Sequence, residues 1–212
     1  MNVGIIGGAD GPTAVYVTAS VGQQVLLHLT ILAVILALAL YMARKRKQHR
    51  FFAVLAAVWV VIVDRYVKRI VAANLAPGET AELLPGLFRL QRVHNYGAAW
   101  SSFSGMRALL VGVTSVAMLL LFWLLLRVVR HPLGLWSVSL IIGGGVGNLI
   151  DRLSAGYVVD MFACEFVNFP VFNVADVFVT CGAAAAAIYY WKYYEKYDAK
   201  ESKHDAPDGG GT

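Results

Sequence analysis

The chain has 212 residues, 58% of them hydrophobic and 15% charged, with a mean hydropathy of +0.63. Soluble domains run nearer about 45–50% apolar and about 25% charged, so this composition excludes an ordinary soluble domain. It predicts an all-α membrane protein: a helical bundle of about five transmembrane helices with a small β-rich extramembrane lobe. The net charge of +5 does not point to nucleic acid, because the basic residues cluster beside apolar runs, where they act as topology signals.

Residues 1–20, MNVGIIGGADGPTAVYVTAS, are too rich in glycine for a stable helix. They predict a glycine-rich extramembrane or re-entrant arm, and they lack the basic start of a cleaved signal peptide. Val25–Ala43 is apolar and long enough to cross a bilayer. It ends in RKRKQHR (Arg44–Arg50), which the positive-inside rule places in the cytoplasm, so this helix runs from outside to inside. Phe51–Val63 returns outward and reaches Asp64, Arg65, Tyr66 and Lys68. Asp64 and Lys68, four residues apart, share a helix face, either as an interfacial ion pair or as groups that orient a site.

Ala76–Gly105 is the long extramembrane segment. Pro77-Gly78 and Pro85-Gly86 mark turns, and Leu87–Val93 (LFRLQRV) alternates like a half-buried strand. HNYGAAWSSFSG (His94–Gly105) suits a surface that receives an extended peptide beside a membrane, with Trp100 as an interfacial anchor.

Met106–Val129 spans inward to Arg127, Arg130 and His131, and after Pro132 the run Leu135–Ile150 spans outward again. Gly143, Gly144, Gly145 and Gly147 weaken the helix but allow close backbone approach, bringing Asn148 and Asp151 toward neighbouring helices. A short connection holds Asp160, and the last span, Val171–Trp191, opens with Asn173 and Asp176. Asp160 and Asp176 are expected at the facing ends of two transmembrane helices. Cys164 and Cys181 form no CxxC pair, so neither a disulfide framework nor a zinc site is expected. The expected division is 1–50, the arm and an accessory helix; 51–194, a catalytic domain; and 195–212, a disordered cytoplasmic tail.

Alternating topology brings Asp64, His94–Trp100, Asn148–Arg152, Asp160 and Asp176 to the outer face. Ionisable groups at membrane depth are costly and mark function by default. Two adjacent carboxyls cannot both ionise cheaply, so the pair holds one proton over some pH range. The ionised member can then activate water, while the protonated member serves the carbonyl oxygen and the leaving amine. No HExxH motif occurs, and no nucleophilic Ser or Cys with a base beside it falls in this cluster. A proton or sodium pathway is the rival reading on physics alone. For Asn148, Asn173 and Asp151 the prevailing role is a supporting hydrogen-bond network.

From about Phe51 to Trp191 the chain resembles the lipoprotein signal peptidases, the type II signal peptidases of bacteria (aspartyl peptidase family A8). The pieces that carry the resemblance are VDRYVK (Val63–Lys68), HNYGAAWS (His94–Ser101), GGGVGNLIDR (Gly143–Arg152), GYVVDM (Gly156–Met161) and FNVAD (Phe172–Asp176). The resemblance implies that Asp160 and Asp176 are a catalytic dyad, surrounded by Asp64, Lys68, Asn95, Gly97, Asn148, Asp151, Arg152 and Asn173. It implies a diacylglyceryl-modified prolipoprotein as substrate, cut before the lipid-modified cysteine, with no metal or organic cofactor. It further implies inhibition by globomycin, and a monomer in the bacterial inner membrane with its site at the outer face. The chain departs from the pattern in its extra first helix and arm, and in a slightly short connection between the two acids. Separately, GIIGGADGPTAVYV resembles a signature segment of the sodium-pumping decarboxylase β subunit, in which Asp10 would serve sodium translocation.

Overall fold

A computed structural model describes residues 2–8, 11–18, 20–46, 49–97 and 105–199. Asp10, Trp100 and the tail beyond residue 199 lie outside the described residues.

The glycine-rich arm pairs as an antiparallel hairpin of β1 (Asn2–Gly8) and β2 (Gly11–Thr18). Two 26-residue helices follow, α1 (Val21–Arg46) and α2 (His49–Asn74). Next come β3 (Thr80–Leu84) and β4 (Phe88–Asn95), then α3 (Arg107–Arg127) and α4 (Pro132–Ser154). The chain closes with β5 (Val158–Cys164) and α5 (Val174–Tyr189), which continues as a π-helix over Tyr190–Ala199. The expected strand in LFRLQRV is β4, the centre of an antiparallel sheet of order β3-β4-β5.

The five expected spans thus correspond to five helices, and three of them, Arg107–Arg127, Pro132–Ser154 and Val174–Tyr197, are long and apolar enough to cross a membrane. The apolar part of α1, Val21–Ala37, is shorter, and α2 carries Asp64, Arg65, Lys68 and Arg69 in its second half. α3 buries only Leu125 among its residues and exposes apolar side chains such as Leu119, Leu120 and Trp123. An apolar surface on nearly every side is stable in lipid and not in water.

α4 packs between α2 and α5 because its glycines let backbones touch. A Cβ on Gly147 would stand 2.7 Å from Asp64 Oδ2, and one on Gly144 would run into the Ala175 carbonyl. Any side chain there would push α4 away from the two helices that bear acids. Beyond Ser154, Gly156 takes a φ of +85° that L side chains rarely adopt, and its N–H reaches back to the Asp151 carbonyl at 3.2 Å. The chain thereby turns from α4 into β5.

Two apolar clusters hold the bundle. At one end Val25 (α1), Val63, Val67 and Val71 (α2), Leu90 (β4), Met161 and Phe162 (β5) and Val174 (α5) join helices to the sheet. At the other end Ala53, Ala57, Leu125, Val129, Leu135, Val138, Ile142 and Tyr189 close the helices on one another. There the π-helical turn occupies residues expected to begin a disordered tail. His131 stacks on Tyr193 with centroids 4.5 Å apart and meets Tyr197 at 4.9 Å, so aromatic contacts order the start of that segment.

Candidate active site

Asp176 is the third residue of α5, and its position is fixed by the helix start. Asn173 is the N-cap: its side chain accepts from the Asp176 N–H at 3.0 Å, and Asp176 Oδ2 accepts from the Asn173 N–H at 3.1 Å. This reciprocal capping box satisfies two N–H groups that a helix terminus leaves orphaned. It also pins one oxygen of the carboxylate.

Asp160 corrects the expectation of two acids at the ends of two helices. It sits inside β5, opposite Val93 of β4. The run VVDMFAC is rich in β-branched and aromatic residues, buried along nearly its whole length, and behaves as a strand covered on both faces. The acids therefore meet where a strand passes a helix N-terminus. The return loop closes this seam, since Phe172 exchanges hydrogen bonds with Phe162 at 2.8 and 3.1 Å immediately before Asn173.

Each oxygen of both acids has a nitrogen donor. Asp160 Oδ1 accepts from Asn173 Nδ2 at 2.6 Å and Oδ2 from Asn95 Nδ2 at 2.9 Å. Asp176 Oδ1 accepts from Asn148 Nδ2 at 2.8 Å, and Oδ2 from the capping N–H described above. Asn173 joins the two acids directly, because one residue serves both. Asn95 is itself held by the Gly97 N–H at 2.9 Å, and the Gly97 carbonyl accepts from Arg152 Nη2 at 2.8 Å.

Behind the acids lies a buried ionic network. Lys68 Nζ stands 2.7 Å from Asp64 Oδ2 and 2.7 Å from Asp151 Oδ2, and donates to Asn148 Oδ1 at 2.9 Å. Asp64 Oδ1 accepts from the Ala175 N–H at 3.0 Å, which ties α2 to the first turn of α5. Arg65 pairs with the other oxygen of Asp151. Buried charges are tolerated when paired and hydrogen-bonded in this way.

All ten predicted residues, Asp64, Lys68, Asn95, Gly97, Asn148, Asp151, Arg152, Asp160, Asn173 and Asp176, therefore fall into one connected network at one end of the bundle. Arg65 is the addition that sequence reasoning passed over. Its signal is its place in DRYVK, three residues before Lys68 on the same helical side.

Asp160, 2% exposed, has its carboxyl raised to about 6, first by burial and then by the charge of Asp176; hydrogen bonds from Asn95 and Asn173 and the charge of Lys68 act in the other direction. Both acids line a cavity of about 850 Å³. One wall is polar, with His94, Asn95, Asn148 and Arg152; most of the rest is apolar, from Val158 and Phe169–Phe172 to Val177 and Val179 on α5, with Thr180 and Cys181 beyond them. Among the described residues, no group of three or more His, Cys, Asp or Glu side chains is placed to hold a metal ion.

Comparison with known proteins identifies relatives of the chain. The family of signal peptidase (SPase) II matches residues 56–192. The lipoprotein signal peptidase of Enterococcus faecalis (strain ATCC 700802 / V583) is 34% identical over 148 residues, covering 68% of this chain and 89% of that protein. That of Symbiobacterium thermophilum is 41% identical over 132 residues, covering 61% and 87%. A solved bacterial membrane enzyme has a similar fold with a TM-score of 0.62 at 27% identity, over 76% of this chain and 93% of that one. A second gives 0.62 at 30% identity, over 66% and 93%. The family match spans more than half of the chain, so the chain belongs to the signal peptidase II family of membrane peptidases.

Proposed function

We propose that this chain is an aspartyl endopeptidase that removes the signal peptide from diacylglyceryl-modified prolipoproteins, cutting before the lipid-modified cysteine. The observation that carries the reading is the pairing of the cavity with the dyad. Two carboxyls, each held by amide donors on both oxygens, line a space whose remaining wall is apolar and formed partly by a membrane-capable helix. Acyl chains can lie against Val177 and Val179 while the peptide crosses the acids.

Burial favours the neutral form of Asp160, so in the proposed step Asp160 is the proton donor and Asp176 acts as the base. Asp176 takes a proton from water as its oxygen attacks the scissile carbonyl carbon, and Asp160 gives its proton to the carbonyl oxygen. The tetrahedral intermediate collapses with cleavage of the C–N bond. The proton on Asp176 passes to the leaving amine, and Asp160 recovers its own from the collapsing hydroxyl. The steps balance without a cofactor or a covalent intermediate.

In this reading the chemistry lies at the outer face of the bacterial inner membrane, with Arg44–Arg50 on the cytoplasmic side, and globomycin is expected to compete for the cavity. An ion pathway is the weaker reading, since Asp64, Asp151, Asp160 and Asp176 gather at one end of the bundle. The test is cleavage by purified protein of a lipidated and an unlipidated precursor, with and without globomycin. Cleavage of the lipidated form, blocked by globomycin and abolished in Asp160→Asn and Asp176→Asn, is expected. Near-normal turnover in either variant would refute the dyad.

A further inference from the structure

α1 lies outside the residues that the signal peptidase II family matches, 56–192, and by sequence it is an accessory. Its packing is that of a working part. Val25 is 0% exposed and sits in the same core cluster as Val63, Val67, Val71, Leu90, Met161, Phe162 and Val174. Met161 follows Asp160 in the chain, and Val174 follows Asn173. Val21, Leu29 and Leu32 of α1, and Ala81 and Leu83 of β3, pack against the same cluster.

The sheet transmits this contact. Ala81 pairs with Leu90, Leu90 with Phe162, and two residues back along β5 Asp160 pairs with Val93. α1 also approaches β3 backbone to backbone, since a Cβ on Gly22 would stand 3.1 Å from Leu83 Cα and closer still to the Glu82 carbonyl oxygen. His28 meets Tyr66 of α2 with ring centroids 5.1 Å apart. α1 is thus wedged between the helix that carries Asp64 and Lys68 and the sheet that carries Asp160 and Asn95.

We propose that α1 is a positioning helix of this chain: Val25 and the Gly22 contact set the seat of the β3-β4-β5 sheet on α2, and so place Asp160 against Asp176. The inference rests on the peptidase reading above. A shifted seat moves Asp160 on its strand but leaves α5, and hence Asp176, where its own capping box holds it. Asn95 and Val158 of the same sheet also line the cavity, but its α5 wall stays in place, so the cost falls mainly on the chemical step.

The test uses the full chain in micelles with a diacylated precursor, under multiple- and single-turnover conditions. Val25→Ala opens a cavity under the sheet; kcat is expected to fall about tenfold with KM changed less than about twofold, since misplacement by about 1 Å can cost up to about a hundredfold. Val25→Ile, which keeps the space filled with one carbon more, should hold kcat near that of the unsubstituted chain, and Leu27→Ala, on the exposed side of the same helix, should leave it unchanged. Gly22→Ala, which presses α1 off β3, should reproduce the kcat loss even if Val25→Ala fails to fold. An unaltered kcat in Val25→Ala and Gly22→Ala, or an equal loss in Leu27→Ala, would overturn the inference. If the unsubstituted chain cleaves nothing, the peptidase reading fails first and this inference falls with it.

Discussion

Replacing Asp160 by Asn should abolish cleavage and at the same time stabilise the fold above neutral pH. The carboxyl is 2% exposed and raised from an ordinary 3.8 to about 6, chiefly by burial. In the folded state it binds its proton more tightly than in the unfolded state. Stability therefore declines as pH rises from about 4 to about 6, and stays at the lower level above that. Converted at 1.36 kcal/mol per pH unit, the difference amounts to about 3 kcal/mol at pH 7. Asn is nearly isosteric and removes this cost, but it returns part of the gain. Asp160 accepts from Asn173 at 2.6 Å and from Asn95 at 2.9 Å, and an amide can offer an oxygen to only one of them, so one hydrogen bond worth about 1 kcal/mol is lost. A net gain of about 1–2 kcal/mol at pH 7–8 follows, vanishing near pH 4, where the wild-type carboxyl is protonated. Reversible unfolding in mixed micelles at pH 4, 6 and 8, followed by far-UV CD, measures it. A variant no more stable than wild type at pH 8, or an advantage that does not grow between pH 4 and pH 6, would refute the assignment of Asp160 as the buried proton holder.

Asp176→Ala should abolish turnover and also cost about 1 kcal/mol, because it removes half of the capping box at Asn173; Asp176→Asn should be equally inactive with a smaller loss, and thermal melts separate the two. Asn95→Ala deletes a donor that favours ionised Asp160, so the alkaline limb of kcat/KM should move to higher pH than the wild-type limb near 6; a limb that moves down would contradict the role given to Asn95. Lys68→Met leaves Asp64 and Asp151 buried beside no ammonium group and should cost about 3–5 kcal/mol, seen as poor recovery of folded protein and a depressed melting temperature. Gly147→Ala places a methyl 2.7 Å from Asp64 Oδ2, which should cost about 1–3 kcal/mol as α4 is forced from α2 and lower activity by displacing Asn148.

The helices were legible because each apolar run ends in a basic or turn-forming block, as at Arg44–Arg50 and Arg127–Pro132. β4 was legible because LFRLQRV alternates apolar and polar residues, although along the strand only Leu90 is buried and only Arg89 exposed, the rest being half-buried. β5 was not: VVDMFAC is buried along almost its whole length, and a strand covered on both sides has no period of two to read. The site residues could be collected from topology, since spans that alternate direction bring C-terminal ends of α2 and α4 to the N-terminal end of α5. Which carboxylate oxygen meets which asparagine could not be read, because it depends on the capping geometry at Asn173 and on the return of Phe172 to Phe162. The docking of α1 was illegible for a similar reason. Val25 is one valine in an apolar run, and only the three-dimensional path of β3 makes it a buried contact between helix and sheet.

On the proposed mechanism, the choice of asparagine around the acids follows from what the pair must do with a single proton. A lysine or histidine in direct contact with both carboxylates could stabilise both as anions, and the protonated partner needed for the carbonyl oxygen would be lost. An asparagine amide donates a hydrogen bond without titrating, so Asn95, Asn148 and Asn173 can fix all but one of the four oxygens and leave the proton to the acids; the remaining oxygen is held by a backbone N–H, which does not titrate either. The cations of the site are kept from hydrogen bonds to the acids, Arg152 by donating to the Gly97 carbonyl at 2.8 Å. Lys68 is held by Asp64 and Asp151 and reaches Asp176 only through Asn148, whose oxygen it engages at 2.9 Å while the nitrogen points at the carboxylate at 2.8 Å. The ammonium thereby orients the amide, since the opposite rotamer would set its nitrogen against Lys68. On the proposed mechanism the charges fix geometry, the amides carry it to the acids, and the proton is left free to move between Asp160, Asp176 and the substrate.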